Sequence, residues 1–293
     1  MKRLRAYKPS KVLSYPKPIG PLSYSCPPEI DLTELTHCTE YLVGPHKISF
    51  YYTTEKIDDL FGFVDRLLWV LQPTKPIVAD ILLTSAKKFY PKGKVFGPSN
   101  VNTGYSSDKV VVYRKEEWFK VLIHELFHFL HHERVLFEPS LQKRILVLFK
   151  VDSEVNLYES YCEVWARTLN CCILSSCNHV PVETLLQHEK KYSLRHMVNV
   201  LNHMGLTYPQ LFEPSDYKEE TNVLAYVVLT AILMHHDFLA HQTGFTLTDA
   251  EPYIAFIERH YKDPLFLYAV KRVKPQVTTT MSYYDVTKCT GKV

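Results

Sequence analysis

The stretch His124-Glu125-Leu126-Phe127-His128 constrains this chain more than any other. Histidines four residues apart project from one face of a helix, close enough to share a metal ion. The glutamate beside the first of them reaches a water on that ion and can act as a base. Two histidines on an amphipathic helix can also be an ordinary satisfied core pair. The surroundings of the motif therefore decide.

A chain of 293 residues, 46% hydrophobic and 22% charged, is long enough for one large or two-lobed globular unit. Its net charge of +3 is scattered, which argues against nucleic acid as a partner. The basic start, Lys2-Arg3-Leu4-Arg5, reads as a solvated arm. Seven cysteines, an odd number, and no Asn-x-Ser/Thr sequon point to a reducing, cytoplasmic setting. The longest apolar run, Val223 to Met234, is too short to span a bilayer, so no membrane partner is expected.

In chain order, residues 1–30 are proline-rich and predict an extended arm, packed on another surface or mobile. Residues 31–139 hold strands at His46–Thr53, Ile77–Thr84 and Lys109–Tyr113, and helices at Thr54–Gln72 and from Lys115 to about Arg134. Residues 140–273 read as a helical lobe, with helices at Ser140–Lys150, Ser153–Leu174, Val182–His203, Glu219–His236, Asp249–His260 and near Leu265–Val273. Residues 274–293 read as a polar tail. Strands first and helices after make the expected class α+β.

A metal site built on His124 and His128 needs a third protein ligand. The helix Ser153–Leu174 offers Glu154, Glu159 and Glu163. Around them, Tyr158-Glu159-Ser160-Tyr161-Cys162-Glu163-Val164-Trp165-Ala166 resembles the second motif of the gluzincins, the thermolysin-like zinc peptidases. In that pattern Asn-Glu-x-x-Ser-Asp-x-aromatic-Gly surrounds the ligand glutamate. The resemblance covers roughly residues 105–170, with Tyr158 in place of asparagine and Glu163 in place of aspartate. It implies a zincin-like fold, a Zn2+ cofactor held by His124, His128 and Glu159, and Glu163 as the carboxylate that orients a ligand histidine. From the helix alone, Glu163 remains the alternative third ligand. The metzincin pattern fails, because His131 stands where it needs glycine and Arg134 where it needs histidine.

The resemblance also implies a peptide or protein substrate, hydrolysed with Glu125 as general base. An oxyanion donor is expected from the helical lobe, with Tyr226 and His196 the candidates and His203 and His235 behind them. An extended peptide would add to an edge strand, formed by Lys109–Tyr113 or by the loop Asn102–Ser106. His131 is expected as a pocket wall. The alternative is a non-catalytic zincin-fold interaction protein. Low glycine and high tyrosine content resemble metallopeptidase-like genes of large DNA viruses, and a virion component is one example of that non-catalytic alternative.

Overall fold

The computed structural model describes residues 2–288. A six-stranded mixed sheet forms one side of the molecule. Its strands are β1 (Leu13–Pro16), β2 (His37–Val43), β3 (His46–Tyr52), β4 (Val78–Leu82), β5 (Gly104–Ser106) and β6 (Val110–Val112), in the spatial order β1-β2-β3-β4-β6-β5. β2 and β3 form a hairpin around Gly44, whose positive φ suits the tight turn. β3, β4 and β6 run parallel, and β5 returns antiparallel to β6 at the edge. The chain thus brings the expected class, α+β, with the strands early and the helices late.

The helices are α1 (Lys2–Arg5), α2 (Ile57–Leu71), the single turn α3 (Pro98–Val101), α4 (Trp118–Leu130), α5 (Pro139–Leu148), α6 (Leu157–Asn178), α7 (Val182–Met204), α8 (Thr230–His235), α9 (Glu251–His260) and α10 (Pro264–Arg272). A π-helical stretch, Leu224–Leu229, leads into α8. Among the described residues no helix is long and apolar enough to cross a membrane.

Both faces of the sheet are covered. On one face Ile48, Phe50, Ile81, Val110 and Val112 join α2 and α4 in the main core. On the other, Cys38, Tyr51, Leu82, Val111 and Tyr113 form a smaller core closed by Ile30, Leu35 and the arm residues Ile19, Leu22 and Tyr24. The proline-rich arm is therefore a covering layer. Its prolines hold it extended, and its interspersed apolar side chains pay the ordering cost by burial. β1 lies in that arm and pairs with β2.

The stretch expected as a polar tail departs from that expectation. From Lys274 the chain runs back across α7 and α4, with Met281 and Val286 buried in the main core. Asn199 exchanges two hydrogen bonds with the Gln276 backbone, and Tyr192 donates to the Thr280 carbonyl. Composition misleads here because backbone groups, not side chains, do most of the docking. Residues 289–293 of the expected tail lie outside the described residues.

Candidate metal centre

Helix α4 is buried nearly all round. Trp118, Phe119, Leu122, Ile123, Leu126 and Phe127 pack into the core, while His124, Glu125 and His128 turn toward a cleft. The helix stops at Leu130 because His131 adopts a left-handed conformation, with φ of 57°. That is earlier than the spacing predicts. The turn carries the chain back so that Glu133, fully buried, places Oε1 3.0 Å from His128 Nδ1. Glycine is absent at the turn, yet the chain still reverses there, and what it delivers is a carboxylate behind a histidine.

Helix α6 packs against α4 with small residues at the crossing. Cys162 is wholly buried, its Sγ 3.6 Å from His128 Nδ1. From this helix Glu159 reaches the histidine pair. Its Oε2 lies 3.1 Å from His124 Nε2 and 3.1 Å from His128 Nε2, and the two Nε2 atoms are 3.0 Å apart. These three atoms could hold a metal ion. Burial disfavours the charge on Glu159, but its hydrogen bonds to His124 and His128 outweigh that and bring its pKa down to about 2. Its other oxygen accepts from Asn222 Nδ2 at 3.2 Å, and Asn222 is held in turn by Asn156.

Glu163 lies one turn further along α6, against the back of the site. Its Oε2 is 3.3 Å from His124 Nδ1. The same carboxylate accepts from Lys120 Nζ at 3.0 and 3.1 Å and from Arg167 Nε at 2.8 Å. Of the two candidate glutamates, then, Glu159 faces the histidine pair and Glu163 stands behind His124. Burial opposes ionisation of Glu163, but Lys120 and Arg167 hold its pKa well below the ordinary value.

Glu125 lines the cleft together with Tyr105, Ser106, His131, Tyr158, Asn222 and Tyr226, in a space of about 400 Å³. Burial raises the pKa of its carboxyl, and the nearby histidines and the Ser106 hydroxyl only partly offset this. The edge strand comes very close to it. A Cβ at Gly104 would lie 3.1 Å from Glu125 Cγ and 2.7 Å from the Val111 carbonyl oxygen, so only glycine fits. The sheet order also separates the two expected edge segments. β6, from Lys109–Tyr113, is internal, and β5, from Asn102–Ser106, is the edge.

Tyr226 sits in the π-helical stretch, its ring centroid 5.7 Å from that of His124. An expanded turn of this kind re-aims side chains relative to an α-helix. Burial, then the charges of Glu159 and Glu125, push its pKa well up, so the phenol keeps its proton. His196 is placed elsewhere. It is buried on α7, stacked on Tyr192 and beside Arg167, with its pKa lowered to about 3 by burial and by that cation. It does not line the cleft. The helical spacing that predicted α7 could not tell its inner faces apart. His203 bonds the Pro91 and Gly93 carbonyls, and His235 meets Phe266 edge-on.

Four residues of the site escape sequence reading: Glu133, Asn222, Lys120 and Arg167. Lys120 and Arg167 stand four residues from His124 and Glu163, a spacing that places them on the same helix faces and could have flagged them. Glu133 and Asn222 depend on a helix stop and a long-range contact that carry no local signal. Set against protein-family models, curated proteins and solved structures, the chain matches none of them.

Proposed function

We propose that this protein is a zinc-dependent metallopeptidase of gluzincin type, with His124, His128 and Glu159 holding the metal and Glu125 as general base. The observation that carries the reading is how the three ligand atoms meet. His124 Nδ1 faces Glu163 and His128 Nδ1 faces Glu133, two carboxylates placed to take the Nδ1 protons of the rings once a cation occupies the Nε2 side. Each Nε2 then stands 3.1 Å from the ionised Oε2 of Glu159 and 3.0 Å from the other Nε2, so three ligand-type atoms converge on one point. A cation relieves that arrangement. Tetrahedral zinc with bonds of 2.0–2.1 Å separates its ligand atoms by roughly 3.3–3.4 Å, within a few tenths of the spacing here.

A bound zinc ion supplies Lewis acidity, which eases water ionisation and polarises a carbonyl. This chain's residues do the rest. Glu125 takes the proton from water as its oxygen attacks the peptide carbon, then passes that proton to the leaving nitrogen as the C–N bond breaks. A carboxyl whose pKa is raised suits both roles better than one at its ordinary value. The Tyr226 hydroxyl donates to the carbonyl oxygen as it gains charge. Among the described residues β5 is the edge of the sheet beside Glu125, onto which an extended peptide adds a strand. A purely structural metal site would have no use for a buried carboxylate at position 125, which favours catalysis over the non-catalytic alternative.

Elemental mass spectrometry of purified wild type and Glu159→Ala, alongside peptide hydrolysis by wild type and Glu125→Gln, tests the reading. Close to one zinc per chain, lost with Glu159→Ala, and hydrolysis lost with Glu125→Gln are expected. A wild type that holds no zinc after incubation with the ion would refute it.

A further inference from the structure

Beside the cleft is a second, smaller space that shares His124, Glu125 and Tyr226 with it. Its other walls include Lys88, Thr103, Lys120, Glu163 and Met281. The hydrogen-bonding balance of these walls is lopsided. Lys88 Nζ donates to Glu117 Oε2 at 2.6 Å, and Lys120 Nζ to the two oxygens of Glu163. An ammonium carries three protons, so Lys88 keeps two and Lys120 at least one without an acceptor among the described residues. Thr103 Oγ1, on a residue 3% exposed, has no partner either.

The acceptors nearby are already engaged. Glu163 is shared by Lys120 and Arg167, and Glu117 takes Lys88 with the Met281 and Ser282 amides. Among the described carboxylates of these walls Glu125 remains, and it serves the cleft. The chamber is thus rich in donors and short of an acceptor. Its volume is about 30 Å³. One water-sized probe occupies roughly 10–15 Å³, so two oxygens fit side by side.

We propose that this chamber binds a carboxylate carried by a substrate residue next to the cleaved bond, either an aspartate side chain or a free C-terminal α-carboxylate. The inference rests on the metallopeptidase reading and deepens it. Two ammonium groups and a hydroxyl match the lone pairs of a carboxylate, and charge-assisted bonds are the strong kind. The short distance from Glu125 to the chamber requires the acid to sit on a residue flanking the bond. Met281 closes the wall, so the segment that docks last in the chain shapes what the chamber admits.

Zinc-loaded protein is incubated with a mixture of peptides that vary aspartate, asparagine and alanine at every position, each with a free acid or an amide at its C-terminus. Cut sites are read by mass spectrometry. At one flanking position, kcat/KM for aspartate, or for the free terminal acid, is expected to exceed that of its uncharged counterpart at least tenfold. Enrichment of internal aspartate identifies a side-chain site, and enrichment of the terminal acid over the amide identifies trimming from the end. Thr103→Val, nearly isosteric, is expected to lower the ratio about fivefold. Cleavage without preference for either carboxylate, or a preference that Thr103→Val leaves intact, overturns the inference and leaves the peptidase reading standing. No cleavage of any peptide overturns both.

Discussion

Gly104→Ala is the most direct probe of how the sheet edge meets the motif helix. A Cβ there would stand 2.7 Å from the Val111 carbonyl oxygen, 2.9 Å from Val121 Cγ1 and 3.1 Å from Glu125 Cγ. Carbon atoms in contact sit at about 3.5–4.0 Å, so β5 must retreat by well over half an ångström. The Val111 oxygen cannot yield, because it belongs to a strand buried between two neighbours. Overpacking of this kind costs about 1–3 kcal/mol, and a loosened β5–β6 pairing adds about 1 kcal/mol per weakened bond. The expected loss is about 2–4 kcal/mol, which at an m-value of about 3 kcal/mol/M lowers the urea midpoint by about 0.7–1.3 M. Gly93→Ala is the control, since nothing lies within 4 Å of its Cβ position. A Gly104→Ala midpoint equal to that of Gly93→Ala would refute the close-approach argument.

Three further outcomes are expected. Glu133→Gln, which weakens the hold on His128 Nδ1, should lower zinc affinity about 10–100-fold in a chelator competition, and an unchanged affinity would remove Glu133 from the site. Tyr226→Phe should cut kcat about 100-fold while zinc content stays constant, and a loss below threefold would mean the oxyanion donor lies elsewhere. Burial, opposed by Arg167, lifts the Glu189 carboxyl to about 7. Its proton is thus held more tightly in the folded chain than in the unfolded one. The resulting stability is fully present below about pH 4.5 and is lost as pH rises through 7, a span of about 3 kcal/mol. Glu189→Gln should flatten that slope, and a thermal melting profile between pH 4.5 and 8 that matches wild type would count against it.

How much the sequence discloses varies with the range of the forces involved. HExxH, the glutamates of α6 and most helices follow from spacing within one element, and spacing is what a sequence displays. The three ligand atoms converge because α4 and α6 pack together where Cys162 leaves little bulk beside His128, a pairing that the small residue three positions after Glu159 hinted at. β5 is only three residues, Gly104-Tyr105-Ser106, and looks like a turn until β6 pairs with it. β2 interleaves Thr39, Glu40 and Tyr41 in a way that hides its alternation, since Glu40 turns to Ser49 and to the Lys17 and Lys47 ammonium groups. His196 shows the converse error. A histidine on a helix carries the same letter whether it meets substrate or an arginine in the core.

The docking of residues 276–286 has a consequence for the order of events during synthesis. Glu117 stands at the head of the motif helix, yet the amide of Ser282 that it accepts lies 165 residues downstream. A ribosome adding residues from the N-terminus finishes α4 and α6 long before that amide exists. Until then two buried carboxylates, Glu117 and Glu189, lack the backbone donors that Met281, Ser282 and Tyr283 provide. Such long-range closure is slow and comes last. The wall behind the histidines is therefore assembled only after its final segment leaves the exit tunnel, and the nascent chain carries its motif unfinished until that moment.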